Sequence, residues 1–232
     1  VASSVIPLIF VLFVVVIVGA VVFGYFQAKK RREGMAAFAA SRGWTYAESD
    51  DSLLDRFEGE PFGVGQDREA VNVIRGSAHD RPMVAFDYSY VTTSTSTDAN
   101  GHSHTERHTH PFSVVVVNIG VVMPALSVAP EGMISRLIGR LTNSDIELES
   151  EEFNRAFRVT CPNRRFASDV LHPRMMQLLL QWPELAWRFD ADSLLAVRPG
   201  SHDVQEIDAK LAALDTILDN VPDFVWQEVR GQ

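Results

Sequence analysis

The first 28 residues carry no charged side chain, and Lys29, Lys30, Arg31 and Arg32 follow at once. No other stretch constrains the fold as strongly. Residues 5–26 read VIPLIFVLFVVVIVGAVVFGYF. A helix of that length covers ~33 Å, against ~30 Å of bilayer hydrocarbon. Inside lipid such a segment must satisfy its own amides, which dictates a helix despite its β-branched residues. Pro7 falls in the first turn, where its missing N–H is tolerated. Tyr25 and Phe26 stand where rings meet headgroups. The expected organisation is an N-terminal transmembrane anchor over residues 1–28 and a basic juxtamembrane collar with a short helix over residues 29–43. A soluble domain follows over residues 44–232.

A cleaved signal peptide would place its basic residues before a shorter apolar core and end on small residues. Here the basic cluster comes after a long core, so an uncleaved anchor is expected. Lys29, Lys30, Arg31 and Arg32 are membrane-surface residues in this reading. By the positive-inside rule they put the C-terminal side in the cytoplasm. Ala20 and Gly24 lie one helical turn apart and are candidates for transmembrane packing, since small residues let two helices approach. Small residues are also common in spans that pack on nothing.

All 30 acidic residues follow Arg32, together with 17 of the 21 basic ones, so the remainder carries a net charge of −13. Such a body repels nucleic acid and anionic lipid, and no nucleic-acid partner is expected. About 200 residues suffice for one substantial core. The single cysteine, Cys161, rules out an internal disulfide and suits a reducing compartment.

Beyond the collar the periodicity changes. Residues 33–41 continue the anchor as a short helix, with Met35, Phe38 and Ala39 on one face and Gly43 at its stop. Residues 52–57 suggest a turn or two of helix. Strands are expected at 70–76, 83–90, 113–119 and 125–128. In the second of these, Val84, Phe86, Tyr88 and Tyr90 alternate with smaller or polar residues. Val114, Val115, Val116 and Val117 imply a strand covered on both faces. Asn100-Gly101 marks a hairpin turn between two long arms whose outer halves are polar. A helix is expected over 130–141, a strand at 146–149, a cap at Ser150 and a strand at 157–160. Residues 164–181 read as a helix broken at His172-Pro173. A hairpin is expected from 186–189 and 194–197, and a last helix over 202–220. The fold class is α+β: a mainly antiparallel sheet with packed helices, preceded by one N-terminal transmembrane helix.

One tract carries a family resemblance. FNRAFRV at 153–159 followed by FASDVLHPRMMQLL at 166–179 resembles a pattern in uncharacterised bacterial, mainly actinobacterial, single-pass membrane-anchored proteins of unknown function. The resemblance runs loosely from the anchor to Trp226. It implies a membrane segment, a β-rich middle and a strand–helix tract, and it carries no activity and no site residue. By analogy alone, accessory proteins of envelope transport share this layout.

His102, His104, His108 and His110, with Glu106 between them, fall on one face of a strand, because side chains repeat every two residues. They are the only candidates for a metal such as zinc or another divalent ion. Zinc needs three or four converging ligands, more than a flat strand supplies. The plainer reading is a solvated hairpin, and no cofactor is expected. There is no nucleophile elbow, Walker loop or dinucleotide fingerprint. Gly63 and Gly65 read as a turn. Glu147, Glu149, Glu151 and Glu152 read as a solvated run, and Arg155, Arg158, Arg164 and Arg165 as partners of neighbouring acids. Asp87 is expected on the polar face of its strand. Trp182, Trp187 and Trp226 read as core or rim anchors, and Cys161 as structural.

These features favour a non-enzymatic interaction or assembly factor at the cytoplasmic face of a bacterial cell membrane. Its partners would be the bilayer and either a membrane protein or a second copy of the chain. The alternatives are a small-ligand, lipid or metal-binding module built on the histidine hairpin, or an unrecognised hydrolase.

Overall fold

The computed structural model describes residues 5–97, 103–133 and 146–231. Helix α1 runs unbroken over Val5–Ser41, so the collar and the short helix after it form one rod with the apolar stretch. Among the described residues it is the one helix long and apolar enough to cross a membrane. Its two ends have opposite surroundings. Phe13, Val16, Phe23 and Phe26 are exposed, whereas Met35 and Ala39 are fully buried in the core. Gly43, at φ 68°, turns the chain out of the helix as expected.

Eight strands make one antiparallel sheet: β1 (Thr45–Ser49), β2 (Gln66–Ala78), β3 (Arg81–Thr97), β4 (Ser103–Asn118), β5 (Leu126–Pro130), β6 (Phe157–Thr160), β7 (Trp187–Asp190) and β8 (Ser193–Pro199). Their spatial order is β1-β2-β3-β4-β8-β7-β5-β6. The helices are α2 (Glu151–Ala156), α3 (Arg164–Val170), α4 (Pro173–Leu179), α5 (Val204–Asn220) and α6 (Asp223–Arg230).

Both faces of the sheet are covered, as the valine run requires. Val115 and Val117 join Met35, Ala39, Ile207, Leu211 and Leu214 under the helices. Val114 and Val116 join Leu53, Phe57, Phe62, Phe86 and Tyr88 under the loop that links β1 to β2. Each valine buried this way is worth ~1.5–3 kcal/mol. Sidedness follows from β3, where Val84, Phe86, Tyr88 and Tyr90 face the loop cluster and Met83 and Ala85 face the helices.

Local chemistry fixes most boundaries. Ser150 Oγ accepts from Phe153 N at 3.2 Å and caps α2. His172 sits at the break before Pro173, and its Nδ1 accepts from Met175 N at 3.4 Å, capping α4. Two expectations need correction. Pro130 closes β5 instead of opening a helix, and residues 131–133 form a single 3-10 turn. The rest of that expected helix, 134–141, lies outside the described residues. Residues 146–149 form no strand, although Ile146 and Leu148 are buried. Leu148 gives both backbone bonds to the Asn154 side chain, N to Oδ1 at 3.1 Å and O from Nδ2 at 2.7 Å. A side-chain amide thus takes the place of a ladder neighbour.

Candidate functional site

Where α1 meets the sheet, a buried polar network stands in place of apolar packing. Its centre is Asp87, 5% exposed. Strand parity puts Asp87 on the same face as Met83 and Ala85, and that face lies under α1 and α5. Asp87 does lie opposite the aromatic residues, but the face expected to be polar is interior here, because a second layer covers it. The carboxylate accepts three bonds. Arg31 Nη2 and Asn72 Nδ2 donate to Oδ2 at 2.7 and 2.8 Å, and His202 N donates to Oδ1 at 2.8 Å.

Each donor is placed by a distinct local feature. Asn72 sits in a β-bulge between Val71 and Ile74, at φ 52°. Asn tolerates that left-handed conformation better than most residues, and the bulge re-aims its side chain toward Asp87. Its Oδ1 accepts from Tyr46 Oη at 2.9 Å. Burial pushes the Tyr46 phenol up, with Glu48 adding to it. Arg31 also donates to the carbonyl of His202 at 3.0 Å. This collar residue thus turns inward, while Lys29 and Lys30 remain exposed and Arg32 lies 3.7 Å from Glu48.

His202 Nε2 donates to Val114 O at 3.0 Å, and its Nδ1 is buried without a partner. That bond fixes the tautomer with the proton on Nε2. Burial, reinforced by the nearby Lys210 ammonium, holds the ring down to about 4. Lys210 Nζ donates to Ser113 Oγ at 2.7 Å and lies 3.8 Å from Glu206 Oε2. Burial lowers its pKa to about 8, against the pull of Glu206. Arg198 Nη1 binds the other Glu206 oxygen at 2.9 Å.

A lysine beside a serine can activate a nucleophile. Here Ser113 is fully buried. At neutral pH the ammonium donates to the hydroxyl, the reverse of the proton transfer that attack requires. The arrangement ties the top of α5 to β4 and, through Asp87, to α1. Sequence reasoning missed this cluster. One signal was available: Lys210 lies within the apolar stripe of α5, three residues from Ile207 and four from Leu214.

The histidine hairpin is a second place to look. His104, Glu106 and His108 share one face of β4, and each imidazole Nε2 lies 3.6 Å from a different Glu106 oxygen. His110 instead stacks on Tyr90 and bonds Thr92 Oγ1 at 2.8 Å. His102 lies outside the described residues. Among those described, no three acidic, histidine or cysteine side chains are grouped to hold a metal. Ala20 and Gly24 are exposed on α1, with open space around Gly24. Cys161 is buried, its thiol pushed up by burial and donating to Asn163 O. Glu151 pairs with Arg155 at 3.1 Å and Arg165 with Asp169 at 3.6 Å. Trp187 is core, while Trp182 and Trp226 sit at its rim.

The sequence matches no protein-family model and no curated protein. A crystal structure of the mycobacterial trehalose monomycolate transport factor A, TtfA, is similar in fold. The TM-score is 0.59 at 16% identity, over 82% of this chain and 96% of that one. At that identity the likeness is one of fold.

Proposed function

We propose that this chain is a single-pass membrane-anchored, non-enzymatic factor that holds its α+β body at the cytoplasmic face of a bacterial membrane and assembles there with a membrane protein. One observation carries the reading: α1 is continuous from an apolar half whose described side chains are exposed to a buried end locked into the sheet. An exposed run of valine, isoleucine and phenylalanine needs an apolar environment. Lipid supplies it over the right length. Residues 1–28 are then the span, and residues 29–43 join it to the body. Lys29, Lys30 and Arg32 meet the inner-leaflet headgroups, each worth ~1 kcal/mol. Arg31 is committed to Asp87. The likeness to a transport factor adds a class of task, accessory work in envelope lipid transport.

The test is recovery of the tagged full chain from gently solubilised native membranes. The expected result is a stoichiometric membrane protein that co-migrates with it. Recovery from the soluble fraction, or as a lone monomer from the membrane, overturns the proposal.

A further inference from the structure

The sheet has two ends. At one, Trp44 Nε1 donates to Ser77 O at 3.2 Å and Arg42 pairs with Asp208. At the other, Arg31 reaches Asp87 and His202. Followed toward its N-terminus, α1 therefore climbs in the direction in which β3 runs. The apolar half of α1 and the far half of the β3–β4 hairpin leave the body by the same end.

That hairpin outruns the sheet. The pairing of β2 with β3 reaches Val91, and that of β8 with β4 begins at Phe112. Beyond those points, residues 92–97 and 103–108 pair only with each other among the described strands, while residues 109–111 pair with Ser89, Tyr90 and Val91 at the foot of the ribbon. The result is a two-stranded ribbon with open edges. It carries hydroxyls, imidazoles and charges and no large apolar side chain. Parity puts Thr93, Thr95, Thr105 and Thr109 on the α1 side and Glu106 with its flanking histidines on the other.

Lengths decide where the ribbon can go. From the Arg31–Asp87 pair, Phe26 lies five helical residues up, ~7.5 Å. Thr97 lies ten strand residues up, ~33 Å. A ribbon standing parallel to a membrane-spanning α1 would pass the headgroup level by ~25 Å. Open strand edges and ionisable groups do not enter hydrocarbon. The ribbon must lie over, and leaning away from α1 is the one sense that avoids the helix. That motion turns the threonine face toward the bilayer.

The geometry points to the β3–β4 ribbon as a second membrane contact, laid along the lipid headgroup layer with its threonine face on the phosphates and its histidine–glutamate face toward water. The inference rests on the anchor reading above. Threonine hydroxyls donate to phosphate oxygens. Arg107 shares their face; its Nη2 donates to the Asp67 carboxylate, and its side chain, 65% exposed, keeps further guanidinium donors for a charge-assisted bond to phosphate. With two points of contact, the body is fixed in tilt as well as in height.

The test uses the full chain with one introduced cysteine at a time, Gly19→Cys, Thr95→Cys or Ser77→Cys, each carrying a fluorophore. The protein is reconstituted in phosphatidylethanolamine–phosphatidylglycerol vesicles doped with headgroup-labelled or acyl-chain-labelled quencher lipid. Buried Cys161 stays unlabelled. The expected result is acyl-chain quenching at position 19 and headgroup quenching at position 95 several-fold stronger than at position 77. Quenching at 19 with positions 95 and 77 alike overturns the ribbon contact and leaves the anchor standing. No acyl-chain quenching at 19 overturns both.

Discussion

Asp87→Ala probes the junction directly. The substitution removes the acceptor of three bonds and fills none of the space it leaves. Arg31, whose side chain is 34% exposed, can swing to water, so its loss adds little. The Asn72 amide and the His202 backbone N–H have no such exit, since both residues are buried. Stranding a buried donor costs ~1–3 kcal/mol, so two cost about 2–6 kcal/mol together, with about 3–4 kcal/mol as the middle of that range. Arg31→Met should cost only about 1 kcal/mol, because the carboxylate keeps two neutral donors while losing its charged one. The chain's 4 tryptophans all lie between Trp44 and Trp226, so their fluorescence reports the body and not the apolar half of α1. Urea unfolding of the full chain in lipid nanodiscs should lose about 1.5 M in midpoint for Asp87→Ala at a slope of about 2 kcal/mol per M. The Arg31→Met loss should be about a third of that. A midpoint for Asp87→Ala within ~0.2 M of the unaltered protein, or a larger loss for Arg31→Met, would refute the reasoning.

Acid should weaken the same junction. Burial depresses the folded His202 ring to about 4 from 6.5, so below pH 6.5 the unfolded chain binds a proton that the folded chain refuses. The contribution is complete above pH 6.5 and is lost as pH falls toward 4, by about 2 kcal/mol at pH ~5. Urea midpoints between about pH 7 and 5 should show it, and His202→Gln should flatten that slope. Lys210→Met should cost less than ~1 kcal/mol or even stabilise, since an apolar isostere escapes the burial penalty while Glu206 keeps Arg198; thermal melts in nanodiscs check this. Gly76→Ala puts a Cβ 2.2 Å from Trp44 Cδ1 and should cost ~1–3 kcal/mol through overpacking. Near-UV circular dichroism should change with it, because Trp44 is displaced from its edge contact with Phe38.

Much of this architecture can be read from residue pattern. The alternation of Val84, Phe86, Tyr88 and Tyr90 marks β3, and the valine run marks a strand with two covered faces. His172-Pro173 marks the break between α3 and α4. What pattern cannot give is what lies over a face. Alternation puts Asp87 opposite the aromatic residues, and only the docking of α1 and α5 makes that side interior. Pairing also extends strands beyond their own signal. Gln66, Asp67, Arg68 and Glu69 have no apolar rhythm, yet they belong to β2 because β3 is long enough to hold them. Helix α6 was not expected, since eight residues with Val225 alone fully buried give too short a stripe. The site hid for a related reason. Asn72, Asp87, Ser113, His202 and Lys210 are far apart in sequence and share no spacing, and only strand register and the bulge at Asn72 bring them together.

If α1 spans the membrane as proposed, its unbroken run makes it a crankshaft, because no joint separates what turns in lipid from what turns in water. Each residue added between Phe26 and Arg31 would swing the whole body by ~100° about the helix axis and lift it by ~1.5 Å. Single insertions there should therefore present a different flank to any neighbour in the bilayer, whereas an insertion of a near-integral number of turns should restore the original facing at a greater height.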